Sequence, residues 1–200
     1  MYKRQGSPSG KLSDTFAKKL EDYPSSETFH ESVKYVDYKE DIYVGYRYFE
    51  TIPGADKAVN YPFGYGLSYT TFERALVSAE EKQGVIRVRV NVTNTGKYPG
   101  KEVMQLYAQA PQGVLGKAKR VLAAFEKTRL LAQGETQLLT LEAPVAQLAS
   151  YDDLGKIQKS AYVLEKGKYQ FYLGTSVRET EQVFCFTMPE DTVTEQLTAK

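Results

Sequence analysis

The chain has 200 residues, 42% of them hydrophobic, which is room for one full domain with a packed core and part of another. Its 26 basic residues balance 25 acidic ones, so no cationic excess draws it to nucleic acid or an anionic membrane, and no apolar run approaches the roughly 18 residues of a membrane span. One cysteine, Cys185, and one histidine, His30, exclude an intrachain disulfide and a zinc site of the usual kind, and leave a His-dependent triad only around His30, where nothing nearby supports one.

In chain order, Met1-Tyr2-Lys3-Arg4-Gln5 read as foreign: they match the translation of a transposase adapter used in shotgun sequencing, and residues 1–5 are set apart from the fold. Residues 6–70 are rich in Gly, Ser, Pro and Tyr and hold no helical period. Turn punctuation recurs, as in Ser7-Pro8-Ser9-Gly10 and Ile52-Pro53-Gly54. Such a stretch buries little by itself and reads as the end of a larger domain or a wrapping connector, with His30 on a surface loop.

Residues 71–178 read as all-β. From Val85 to Thr93 the chain alternates, with Ile86, Val88, Val90 and Val92 on one face and Arg87, Arg89, Asn91 and Thr93 on the other. One face buried and one wet is the signature of an antiparallel sheet. Asn94-Thr95-Gly96 then supplies a turn in which Gly96 is free to take a positive φ. Further strands are expected from Lys101 to Gln109, from Val121 to Lys127, from Thr136 onward with Leu139, Leu141 and Ala143 on one face, and from Lys168 to Leu173 with Tyr169, Phe171 and Leu173 together. Two sheets packed face to face bury these sides, and such a sandwich takes about 100 residues. In residues 179–200, Val183 to Phe186 fit an edge strand, with Cys185 as a small hydrophobe. Pro189 to Lys200 reads as a polar connector with Val193 and Leu197 at helical spacing. The 16 tyrosines suit strands and sugar platforms alike, so composition does not separate the two.

Several stretches then take on a family's order. Ser7-Pro8-Ser9-Gly10-Lys11-Leu12 with Thr15-Phe16 resembles the P-S-G-K-L-x-x-T-F segment near the end of the α/β sandwich domain of family 3 glycoside hydrolases. Tyr38 to Phe49 resembles that domain's last element, Y-x-E-G-I-x-V-G-Y-R-Y-Y/F, with Asp41 in place of a glycine. Tyr61 to Phe72 is similar to F-P-F-G-Y-G-L-S-Y-T-x-F. Val92 to Gly96, Glu102 to Tyr107, Leu122 to Lys127, Leu131 to Thr136 and Gly167-Lys168-Tyr169 follow in the order of the attached fibronectin type III-like domain, with Ala123-Ala124 replacing K-G.

The resemblance implies a mainly β chain: an immunoglobulin- or fibronectin type III-like antiparallel β-sandwich preceded by the irregular tail of an α/β domain. It also implies a parent of the β-glucosidase type, retaining, with a nucleophilic Asp on a (β/α)₈ barrel and an acid/base Glu upstream of the motifs present here. No catalytic, cofactor-binding or metal residue is carried over to this chain. Its partners are the barrel and α/β domains of the same parent and, through them, a carbohydrate substrate; no nucleic acid and no membrane are expected. The tail Met188 to Leu197 resembles the linker of members whose barrel follows the sandwich, and such enzymes are often intracellular, which favours the cytoplasm.

The expected role is a non-catalytic, domain-orienting fragment. The alternatives are an independent carbohydrate-binding or adhesion module, which would use exposed tyrosines such as Tyr65 or Tyr107, and an Ig-like surface protein, which lacks an anchor signal. Tyr46, Arg47, Tyr48, Phe63 and Tyr65 are the candidate domain-junction or sugar-contact residues, within an aromatic cluster that also holds Tyr43, Phe49, Tyr61 and Tyr69. Gly45, Gly64 and Gly66 would permit close backbone approach, and Arg47 would hold the junction through a carboxylate or carbonyls. Glu40 and Asp41, taken as strand neighbours, would point to opposite faces. Asp152-Asp153 reads as a solvated turn, since calcium wants six to eight oxygens.

Overall fold

The structure, a computed structural model, describes residues 7–29 and 31–198. Met1 to Gln5 and His30 lie outside the described residues. Two strands start the chain, β1 (Phe16–Ala17) and β2 (Val59–Tyr61), paired with each other across a stretch of 3-10 turns and one short helix, α1 (Tyr46–Thr51). The sandwich follows: β3 (Phe72–Lys82), β4 (Val85–Asn94), β5 (Val103–Gln109), β6 (Val121–Lys127), β7 (Thr136–Pro144), β8 (Ser150–Asp152), β9 (Ala161–Leu164), β10 (Gly167–Gly174), β11 (Thr180–Met188) and β12 (Thr192–Gln196).

One sheet runs β3-β4-β7 and the other β11-β10-β5-β6, with antiparallel neighbours throughout. The alternation in β4 sets the packing. Ile86, Val88, Val90 and Val92 are fully buried, and they meet Leu139, Leu141 and Ala143 of β7, Met104, Leu106 and Ala108 of β5, and Tyr169, Phe171 and Leu173 of β10. Each of these side chains contributes roughly 1.5–3 kcal/mol of burial. The expected two-layer β-sandwich is therefore present, with its core drawn from the predicted alternating faces.

Three features differ from the sequence expectation. Strand β3 was not foreseen, because a bulge between Leu76 and Ser78 breaks its alternation; it turns into β4 through Gln83 and Gly84, both at positive φ, as a tight hairpin requires. The tail read as a polar connector forms β12, which pairs with β9 in a third small sheet, β12-β9-β8. Gly96 does not take a positive φ. Its need is space: a Cβ there would lie 2.2 Å from Thr70 Oγ1.

That corner is tied by Asn94, fully buried. Its Oδ1 accepts from Thr70 Oγ1 (2.6 Å) and the Gly96 N–H (3.1 Å), while its Nδ2 donates to the carbonyls of Tyr98 and Leu131, each at 2.8 Å. A buried amide with every group satisfied stabilises one arrangement of three segments.

Candidate functional site

Strand β5 is buried on both faces, and this places the site. Met104, Leu106 and Ala108 point into the sandwich, whereas Gln105 and Tyr107 point outward and are still buried. The cover comes from the N-terminal segment. Tyr46 of α1 stacks on Phe63 with 4.3 Å between centroids, and both rings meet Tyr107 edge-on at 6.4 and 6.5 Å. Edge-to-face pairs of this kind suit the ring quadrupoles.

Polar groups inside the contact are matched. The Tyr107 hydroxyl donates to Gln105 Oε1, and Gln105 Nε2 donates to the carbonyls of Gly64 (3.2 Å) and Thr175 (2.7 Å). The Val177 N–H donates to the Phe63 carbonyl at 3.0 Å, and the Leu122 N–H to the Tyr46 hydroxyl at 2.9 Å. Burial, reinforced by the charges of Tyr46 and Glu50, pushes the Tyr107 phenol far above its ordinary range, so it stays a neutral donor. Gly64 sits at φ +79°, and a Cβ there would lie 2.1 Å from Gln105 Oε1, so the close approach needs glycine twice over.

Around this centre the sandwich is braced within itself by Arg120 and pinned to the N-terminal segment by Arg178, Lys119 and Glu102. Arg120 Nη1 donates to the Val177 carbonyl (3.0 Å) and Thr180 Oγ1 (2.8 Å), and its guanidinium lies 4.1 Å above the Tyr172 ring. Arg178 pairs with Glu50 at 2.8 Å and donates to the Asp56 carbonyl. The Lys119 N–H donates to Thr51 Oγ1 (2.8 Å), and Lys11 pairs with Glu102 at 2.8 Å in a largely buried setting.

The structure separates the sequence candidates. Tyr46 and Phe63 form the junction. Tyr65 sits beside Tyr61 (5.2 Å) and its carbonyl accepts from the Leu12 N–H, whereas Tyr48 packs edge-on against Phe49 within the N-terminal segment. Arg47 departs from expectation: it is exposed and its side chain makes no hydrogen bond or ion pair among the described residues, because the turn of α1 directs Tyr46 inward and its neighbour out. Tyr107, named as an exposed sugar contact, is fully buried. Glu40 and Asp41 are not in a strand but in a turn, with Asp41 at φ +51°. Gln105 was missed because a polar residue between apolar neighbours reads as a wet face; the nearly continuous apolar run from Val103 to Ala108 is the only local sign of a second covered one.

Asp152 was read as solvated and is buried. Desolvation alone would raise its carboxyl, but the N–H groups of Gly155, Lys156, Ile157 and Gln158 donate to it at 2.7–3.0 Å and hold it below the usual carboxylate range. It organises the β8–β9 loop. A second unforeseen group is the buried pair of Lys117 and Glu165, 3.2 Å apart, in which Glu165 Oε1 also accepts the Val114 N–H at 2.7 Å and fixes the β5–β6 loop. Burial and the Glu165 charge push the Tyr169 phenol up to about 12 while its hydroxyl donates to the Glu165 carbonyl. Among the described residues no three His, Cys, Asp or Glu gather as a metal site. Glu102, Glu165 and Asp152 are thus held by Lys11, Lys117 and backbone amides respectively, and the arrangement joins two segments.

Residues 102–177 match the fibronectin type III-like domain family. The chain is 56% identical to β-glucosidase A of Butyrivibrio fibrisolvens, covering 96% of this chain and 25% of that protein. It is 49% identical to a β-glucosidase of Ruminococcus albus, covering 96% and 20%. A solved β-glucosidase from Paenibacillus barengoltzii superposes with a TM-score of 0.92 at 51% identity, covering 97% of this chain and 22% of that one. β-Glucosidase 3B from Thermotoga neapolitana, in complex with α-D-glucose, gives 0.83 at 40% identity, covering 94% and 25%. The chain spans a fifth to a quarter of the length of these relatives.

Proposed function

This chain belongs, as a segment carrying the fibronectin type III-like domain, to the family 3 glycoside hydrolases of the β-glucosidase type, and from that premise we propose that it is a non-catalytic part that seats the sandwich on the remainder of such an enzyme. The parent hydrolyses β-glucosides, and its opposed carboxyls lie on the remainder. One observation carries this reading. The N-terminal segment grips the sandwich through Tyr46, Phe63 and Tyr107, yet has almost no core of its own: among the described residues between 7 and 58 only Thr15, Thr28 and Phe49 are buried.

Its other side is apolar and open. Phe16, Leu20, Val33, Tyr35, Tyr38 and Val44 are all more than half exposed. Side chains of that kind on a segment that spans so little of its relatives' length fit the inner face of a larger α/β domain.

The test is reconstitution. The purified 200-residue chain is expected to turn over no aryl β-glucoside alone, and to restore turnover when mixed with the complementary part of a close relative. Turnover by the isolated chain would refute the reading.

A further inference from the structure

We infer that a groove between the N-terminal segment and the third sheet, continued by the tyrosine pair Tyr151 and Tyr162, binds a short neutral oligosaccharide. The groove has a volume of about 630 Å³ and is lined by Asp41, Arg47, Gln147, Ser150, Tyr151 and Asp153 over an apolar floor from β6 and β7. That size is in the range of small-ligand sites, about 300–1,000 Å³.

Apart from Lys117, which pairs with Glu165, its polar side chains are uncommitted. Among the described residues, Arg47, Gln147 and Ser150 donate no side-chain hydrogen bond, and the carboxylates of Asp41 and Asp153 accept none. Donors and acceptors therefore stand together: with Lys117 neutralised by Glu165, the free Arg47 is set against the free Asp41 and Asp153. This mixture suits a ligand whose hydroxyls both give and take hydrogen bonds, and it suits a phosphate or a dicarboxylate poorly.

The rings supply the other half. Tyr151 of β8 and Tyr162 of β9 are direct cross-strand partners on the outward face of the sheet, 44% and 38% exposed, while Asp152, Ala161 and Val163 on the alternate positions are buried. Their centroids are 5.3 Å apart and their planes 51° from one another, so each ring offers its face to a different sugar unit along a twisted chain. Glu195 lies opposite Tyr162 on β12 and extends the strip with an exposed carboxylate. The Asp152 amide clamp fixes the loop that carries Asp153 and so sets the strip's near end.

The choice of probe rests on the glycosidase reading, but the site does not. Isothermal titration of the full chain with cellotetraose, and separately with maltotetraose, is expected to give saturable binding of at least one sugar at millimolar concentration. Tyr151→Ala is expected to weaken it about tenfold, the loss of one aromatic contact, and Arg47→Gln to weaken it several-fold, while Tyr65→Ala leaves it unchanged. Circular dichroism on each variant checks that the sandwich is intact. No saturable binding of either sugar, or binding that survives Tyr151→Ala, overturns the inference. Reconstituted turnover does not depend on sugar binding by the isolated chain, so such a failure leaves the proposed function standing.

Discussion

The sandwich and the segment that precedes it solve opposite problems with the same amino acids. The sandwich closes its core with its own alternating faces: Val90 and Phe171 are fully buried by neighbours within residues 72–188. The N-terminal segment uses tyrosines and a valine-bearing turn, yet Val33 and Tyr38 stay open to solvent. On the proposed function, burial of the N-terminal segment is completed by the rest of the enzyme, whereas in the sandwich it is a property of the local chain. A region can be richly apolar and still contribute little to the stability of the piece that carries it.

Substitutions sharpen this contrast most in the core. Phe171→Ala is expected to cost about 3–5 kcal/mol in urea unfolding, whereas Val33→Ser and Tyr38→Ala should stay within about 0.5 kcal/mol. Equal losses in the two regions would erase the distinction. Removing one partner of the buried pair by Lys117→Met is expected to cost about 3 kcal/mol, since Glu165 is left charged and enclosed, and the double variant Lys117→Met/Glu165→Leu should recover most of that loss.

The junction between the regions comes next. Gly64→Ala is expected to destabilise by at least about 1 kcal/mol, through its positive φ and its clash with Gln105, and to loosen the N-terminal segment more than the sandwich. Tyr46→Phe removes the acceptor of the Leu122 N–H and should cost about 1 kcal/mol. Urea unfolding reads both, and near-ultraviolet dichroism follows the Gly64 variant through the Tyr46 and Tyr107 rings packed edge-on at the junction.

The smallest effect is on pH. Asp152 has a folded-state value below its ordinary 3.8, so its contribution is complete above that value and is lost as pH falls through the lower folded one. Asp152→Asn is expected to flatten the acid limb of the stability profile and to leave neutral-pH stability lower than in the parent chain. An unchanged acid limb would show that the four amide bonds are not titrating with the fold.

The sandwich was legible because one rule governs it. In β4, β7 and β10 a period of two puts Ile86 to Val92, Leu139 to Ala143 and Tyr169 to Leu173 on the covered face at alternate positions, and that pattern identifies the core even though Leu138 stays exposed on the other side. Strand β3 was hidden by its bulge, and β12 by polar residues on an edge that need satisfy only one neighbour. The site was half legible. Tyr46 and Phe63 stood out in the motifs, but Arg47 and Tyr107 exchanged their expected places because exposure depends on which layer lies above each strand. Asp152 and the Lys117–Glu165 pair carried no local signal at all: their partners are backbone amides or residues distant in sequence, which composition does not reveal.

Hydrogen exchange tests the central claim most directly. In the isolated chain, amides of β4, β5 and β10 are expected to exchange slowly and those of residues 31–44 rapidly, and addition of the complementary part of the enzyme should protect residues 31–44 while leaving the sandwich strands unchanged. Slow exchange of residues 31–44 in the isolated chain would contradict the account, because that segment would then have been complete without the rest.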